Sequence, residues 1–291
     1  MSASTAVSRA PANALLRLGR VSNLPTVWTN GLAATILAGG DALSLRTTWV
    51  LCALSLLYLA GMYLNDAFDR ELDAKERPTR PIPAGQISAE AVFAAGFGML
   101  GGGVILLFLF DLTAGLWGLA LAGTIIAYDV HHKGNPLSPV VMGLCRFLVY
   151  VTAAAAADGD GVTGPVLIGG AALFAHVVGL TYAAKQESLD RIGRLWPLAA
   201  LAIPLVLALP SLPGLAPLLA FLALMLADGL AVAELKARAS PGAVPRAVAA
   251  LIAAIALVDA LAIAPLSPAF ALVCAAGYLL TRLAHRAVPG T

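Results

Sequence analysis

A succession of apolar stretches, each close to the length of a bilayer crossing, constrains this chain more than any single motif. Taking about 20 apolar residues as one span, with roughly 17 to 25 tolerated, ten segments stand near residues 24–40, 47–66, 89–109, 113–129, 137–157, 164–184, 195–209, 214–234, 246–263 and 267–284. The seventh is short enough to be tilted or partly re-entrant, so nine and ten spans are both consistent with the sequence. Hydrophobic residues make up 60% of the chain and charged residues 12%, against about 45–50% and 25% in soluble domains. The expected fold is all-α: a polytopic bundle of nine to ten transmembrane helices around a central cavity, in a single domain over residues 1–291.

The placement of charge orients this bundle. With the N-terminal segment 1–22 in the cytoplasm, Arg9, Arg17 and Arg20, the cluster Arg70 to Arg80, Lys133, Lys185 to Arg194, Lys236 to Arg246, and Arg282 with Arg286 all fall on that side. Only Arg46, in an outer loop, and Arg146, within a span, lie elsewhere. Retention of Lys and Arg on the cytoplasmic side therefore favours ten spans with both termini inside a cell membrane. A cleaved signal peptide would also carry early arginines, but the chain stays membrane-like far beyond one. The formal net charge of +2 is too small, and its basic residues too dispersed, for nucleic-acid binding. Cys52, Cys145 and Cys274 lie in apolar stretches without metal-site spacing and read as small core residues.

At Asn65 to Asp73 an apolar stretch runs into the sequence N-D-A-F-D-R-E-L-D. Asn65, Asp69 and Asp73 are four apart and share a helix face, with Asp66 beside them. One amide and three carboxylates offer the oxygen donors that magnesium prefers; the bland alternative is a helix end with solvated acids. The loop that follows, 70–88, is charged and carries Arg77-Pro-Thr-Arg80-Pro-Ile-Pro83, which fits a cytoplasmic cap over the helix end. A weaker copy stands at Gln186-Glu187-Ser188-Leu189-Asp190-Arg191, four spans later and on the same side. Two facing acidic motifs with magnesium and a diphosphate between them would form a complete site.

These residues resemble the UbiA superfamily of intramembrane prenyltransferases. The resemblance rests on Asn65-Asp66-x-x-Asp69-x-x-x-Asp73, on Arg77 to Gly85, and on Tyr128 with Lys133. It implies a magnesium-dependent enzyme that transfers a prenyl group from a polyprenyl diphosphate to a lipophilic or aromatic acceptor. Carried onto this chain, Asn65, Asp66, Asp69 and Asp73 would hold the first metal, and Glu187 with Asp190 the second. Asp69, Asp190, Lys133 and Tyr128 would carry catalysis, and Arg20, Arg80, Lys133 and Arg191 would bind the diphosphate. The chain departs from the family pattern at Gln186, where the second motif usually opens with aspartate, and in the segment Tyr128-Asp129-Val130-His131-His132-Lys133.

Ionising an allylic diphosphate requires stabilisation of the leaving group's charge, which a metal and fixed cations provide best at low dielectric. For the basic residues, ordinary cytoplasmic retention is the competing explanation. The cation left behind needs shielding from water, for which aromatics near Tyr63, Tyr128, Phe147 and Tyr182 are candidates. Arg146, His176, Asp228 and Asp259 are intramembrane polar groups open to cavity roles or to structural pairing, Arg146 with either Asp228 or Asp259. They also admit a cation-coupled transporter, although the acid-rich stretch lies at a helix end rather than at mid-membrane depth. A CDP-alcohol lipid-head transferase is disfavoured because Asp228-Gly229 lacks the continuation that class requires.

Overall fold

The computed structural model describes residues 12–185, 196–237 and 242–290. Among them are helices and turns and no strand. A short helix, α1 (Ala12–Leu18), and a 3-10 turn lead into α2 (Leu24–Leu37), followed by α3 (Leu45–Phe68), α4 (Arg70–Glu76), α5 (Ala89–Phe110), α6 (Leu112–His131), α7 (Ser138–Ala156) and α8 (Gly164–Ala184). A segment of 3-10 character, Trp196–Ala202, joins the short α9 (Ile203–Ala208), and α10 (Leu215–Ala237), α11 (Ala243–Ile263) and α12 (Pro268–Ala284) complete the bundle.

Seven helices, α3, α5, α6, α7, α8, α10 and α11, are long and apolar enough to cross a membrane. The chain is thus a multi-pass membrane protein. The remaining expected segments are helical but shorter: α2, α12 and the broken stretch Pro197–Ser211, where Pro197, Pro204 and Pro210 interrupt the hydrogen-bond ladder. Helix starts follow from local chemistry. Ser44, Ser88 and Asp111 each turn a side-chain oxygen onto the N–H three residues on, capping α3, α5 and α6. Arg46, expected in an outer loop, instead sits in the first turn of α3 and donates from Nε to the Ala156 carbonyl.

Lipid tails are as apolar as leucine, so helix association depends on close packing rather than on hydrophobic burial. Small residues provide it. A Cβ added to Gly103 would stand 2.9 Å from Leu57 Cγ and 3.0 Å from the Ala53 carbonyl, so glycine lets α5 lie directly on α3. Gly143 does the same for α7 on α8, its virtual Cβ 2.9 Å from the Phe174 carbonyl. Helix α11 is buried along most of its length, whereas α5 and α10 turn Ile105, Leu109, Leu219 and Leu226 outward. Of the cysteines, Cys145 and Cys274 are buried as expected, but Cys52 is exposed on the outer side of α3.

Candidate functional site

The acid-rich stretch keeps its helical spacing across a helix boundary. Asn65 and Asp66 end α3, Asp69 stands at the junction, and Asp73 lies in α4. The backbone carries the register through, with Asp69 N–H donating to the Asn65 carbonyl at 3.0 Å and Asp73 N–H to that of Asp69 at 2.9 Å. The expected cap loop is therefore helical over its first seven residues. Beyond it, turns through the prolines and Gly85 (φ +68°) fold Arg80 back over α4.

Each carboxylate on this face meets a cation drawn from elsewhere. Asp66 Oδ1 accepts from Arg20 Nη2 at 3.0 Å and from Arg80 Nη1 at 3.1 Å, and the same Arg80 nitrogen donates to Asp73 Oδ2 at 2.7 Å. Asp69 Oδ2 lies 2.9 Å from Lys133 Nζ and 3.3 Å from His132 Nε2, both at the end of α6. Burial pushes the Asp69 carboxyl up, but its hydrogen bonds to His132 and Lys133 outweigh that and leave it below its ordinary value. Arg20 is the one non-glycine among the described residues with positive φ, at 41°. Such a conformation costs of order 1–3 kcal/mol and here brings the Arg20 guanidinium onto Asp66.

The fourth acid in this region is Asp129, which the sequence marks only as part of an unusual segment and not as a site residue. Its Oδ1 accepts from Asn65 Nδ2 at 3.3 Å, while its Oδ2 is buried without a partner among the described residues. His132 belongs to the same segment; it stacks on Tyr128 at 4.9 Å between centroids. The signal was present in the spacing, because 129, 132 and 133 share one helix face.

A pocket of about 90 Å³ opens beside these groups between α2, α3, α6 and α7. Its walls are largely apolar, with Tyr58, Tyr128, Asp129 and Arg146 supplying the polar atoms. Of the four aromatics expected to wall a cavity, Tyr128 lines this pocket; Tyr63 instead donates to the Leu15 carbonyl, Phe147 packs on Gly170, and Tyr182 lies elsewhere in the core. Arg146 reaches Asp259 through Asn30, whereas Asp228 faces His176, with His176 Nδ1 3.5 Å from Asp228 Oδ2.

The donor set suits a hard divalent cation by type: amide and carboxylate oxygens, no thiol, and an unpartnered Asp129 oxygen. As arranged, the acids are engaged by arginine, lysine and histidine, and among the described residues no three His, Cys, Asp or Glu side chains are grouped to hold one ion. Gln186, Glu187, Asp190 and Arg191, the second motif, lie outside the described residues.

Comparison with known proteins gives the class. The helical architecture is similar to that of a solved digeranylgeranylglyceryl phosphate synthase (TM-score 0.62, 18% identity, 86% of this chain and 96% of that one). It is equally similar to the apo structure of a UbiA homolog from Aeropyrum pernix K1 (TM-score 0.63, 20% identity, 81% and 95%). Residues 24–244 match the model of the UbiA prenyltransferase family, and the chain belongs to that family. Among curated relatives, the digeranylgeranylglyceryl phosphate synthase of Methanothrix thermoacetophila is 31% identical over 43% of this chain and 47% of its own length. The protoheme IX farnesyltransferase of Exiguobacterium sibiricum is 31% identical over 36% and 37%, and the chloroplastic chlorophyll synthase of Avena sativa 40% identical over 22% and 18%. The matches thus span less than half the length of these relatives.

Proposed function

We propose that this protein transfers a prenyl group from an isoprenoid diphosphate to a lipophilic or aromatic acceptor at the cytoplasmic face of the membrane. The observation that carries this reading is the meeting of Asp66, Asp69 and Asp73 with Arg20, Arg80 and Lys133 at the ends of α3 and α6. Three acids paired with three cations can exchange partners with a diphosphate and its counter-ion, because in that exchange no buried charge is left without an opposite one.

In this mechanism Arg20, Arg80 and Lys133 bind the diphosphate oxygens and stabilise the charge that develops as the allylic C–O bond breaks. Asn65, Asp66, Asp69 and Asp73 would hold a divalent metal, for which magnesium is proposed from the oxygen donors, with Glu187 and Asp190 as the second set. When bound, that metal supplies further neutralisation of the leaving group. Tyr58 and Tyr128 line the pocket, and their aromatic rings are suited to shielding a carbocation from water. Arg191 would add a cation from the second motif. The proposed topology has nine or ten spans, α2, α12 and the proline-broken segment joining the seven long helices, with both termini cytoplasmic.

The test is diphosphate release from an allylic prenyl diphosphate by purified protein with magnesium and a lipophilic acceptor pool. Wild type releases diphosphate, and Asp69→Ala and Asp190→Ala each lower release about 10²- to 10³-fold; full activity in both variants would overturn the two-motif site.

A further inference from the structure

Arg146 enters the pocket from α7, two turns inside the helix's start. Its Nη1 donates to Asn30 Oδ1 at 2.7 Å and its Nη2 to Thr26 Oγ1 at 3.3 Å, with the guanidinium 5.7 Å from the Tyr58 ring centroid. A guanidinium has five N–H donors in a planar fork, so these two bonds leave part of the fork unused. No carboxylate among the described residues pairs with it directly. Asp259 is the acid of this network, but its oxygens accept from Asn30 Nδ2 at 2.7 Å and Tyr150 Oη at 2.5 Å. The two charges are linked through the Asn30 amide rather than by contact, and Arg146 is among the residues that line the pocket.

An intramembrane cation arranged in this way is suited to a second oxygen partner. We propose that Arg146 is a specificity-determining residue that binds the acceptor through a compact planar oxyanion, a carboxylate being the fitting class, in the pocket between α2, α3, α6 and α7. A two-oxygen planar anion matches the guanidinium fork, which a neutral or tetrahedral group does not match as well. Tyr58 backs the guanidinium from one side, and Val27, Leu54, Leu57 and Val149 supply apolar walls for the acceptor's body. Asp129, whose Oδ2 is buried without a partner among the described residues, is another residue of the pocket's lining. Identifying the occupant as an acceptor rests on the transferase reading; the anion selectivity of Arg146 does not.

The experiment titrates butyrate and its neutral isostere butyramide into detergent-purified wild type, Arg146→Lys and Arg146→Gln, read by ligand NMR and thermal shift, with magnesium pyrophosphate titrated separately into each. Wild type is expected to bind butyrate at least tenfold more tightly than butyramide. Arg146→Lys, which keeps the charge and loses the fork, weakens butyrate about tenfold; Arg146→Gln removes the selectivity, and pyrophosphate binding is retained in both. Equal binding of the two probes by wild type, no butyrate binding at all, or undiminished selectivity in Arg146→Lys would each overturn the proposal. If Arg146→Gln fails to fold, the wild-type probe pair and Arg146→Lys still decide it. Absence of pyrophosphate binding in wild type, with butyrate selectivity intact, would count against the transferase reading alone.

Discussion

The polar layer at the ends of α3 and α6 and the polar layer within the bundle are built in opposite ways. At the helix ends Asp66, Asp69 and Asp73 are buried but each touches a cation directly, and the cations keep some solvent access, with the Lys133 side chain 48% exposed. Inside, Asn30 and Asp259 are fully buried, and Arg146 reaches Asp259 only through the Asn30 amide. Directly paired charges with one partner open to solvent can pass from one counter-charge to another without being stranded. Buried charges are costly to strand, so a network that fixes them also fixes the helices that carry them. The outer layer thus suits a site that must trade partners with a ligand, and the inner layer suits a frame that leaves only spare guanidinium donors for binding.

Breaking each layer separately tests this contrast. In the outer layer, Asp69→Ala is expected to lower diphosphate release about 10²- to 10³-fold while moving the thermal midpoint little; a large stability loss would make Asp69 structural instead. In the inner layer, Asp259→Ala leaves Asn30 and Tyr150 without their acceptor and Arg146 without charge balance, and should destabilise the protein by about 3 kcal/mol. Denaturation in detergent measures this, and a near-neutral result would remove the network's role as a frame. Arg80 meets Asp66 and Asp73 through one nitrogen, so Arg80→Lys keeps the charge there but loses the planar donors suited to diphosphate oxygens; a roughly tenfold rise in the apparent Kd for pyrophosphate is expected, and unchanged binding would place Arg80 outside the site.

The smallest effect concerns the C-terminal end, where His285 Nε2 donates to Asn23 Oδ1 at 2.7 Å and Asn23 Nδ2 donates to the Gly290 carbonyl at 3.0 Å. Burial, with the Arg282 charge adding to it, pushes the imidazole down to about 4 from its ordinary 6.5. Between those values the unfolded chain binds a proton that the folded one refuses, so stability falls as pH is lowered from 6.5 towards 4. The thermal midpoint of wild type should drop across that window, and His285→Asn should flatten the drop. An equal slope in the variant would assign it to other groups.

Several parts of this architecture are legible in the sequence because local rules govern them. The cluster from Asn65 to Asp73 is readable as one face because a four-residue repeat survives a helix boundary so long as the backbone stays near-helical. Arg80 is readable as a capping residue because three prolines force the chain to turn close behind α4. Asp129 and His132 stand four and one residues before Lys133, a spacing that offers them as neighbours of the site, but spacing alone does not show that Asp129 meets Asn65 or that His132 meets Asp69. Cys52 faced outward rather than inward because a uniformly apolar helix carries no signal for which side meets lipid and which meets protein.

The sequence by itself determined that the chain is a membrane-embedded set of helices, since only internally hydrogen-bonded segments of that apolarity and length satisfy a bilayer. It also determined where oxygen ligands and basic residues concentrate along the chain. Only the tertiary structure decided that Arg20, Arg80 and Lys133 meet Asp66, Asp73 and Asp69, and that Arg146 answers to Asp259 and not to Asp228. Those pairings join residues up to 229 positions apart in a single bond, as between Asn30 and Asp259. They depend on the rotation and depth of each helix against its neighbours, which close contacts at residues such as Gly103 and Gly143 set and hydropathy does not encode.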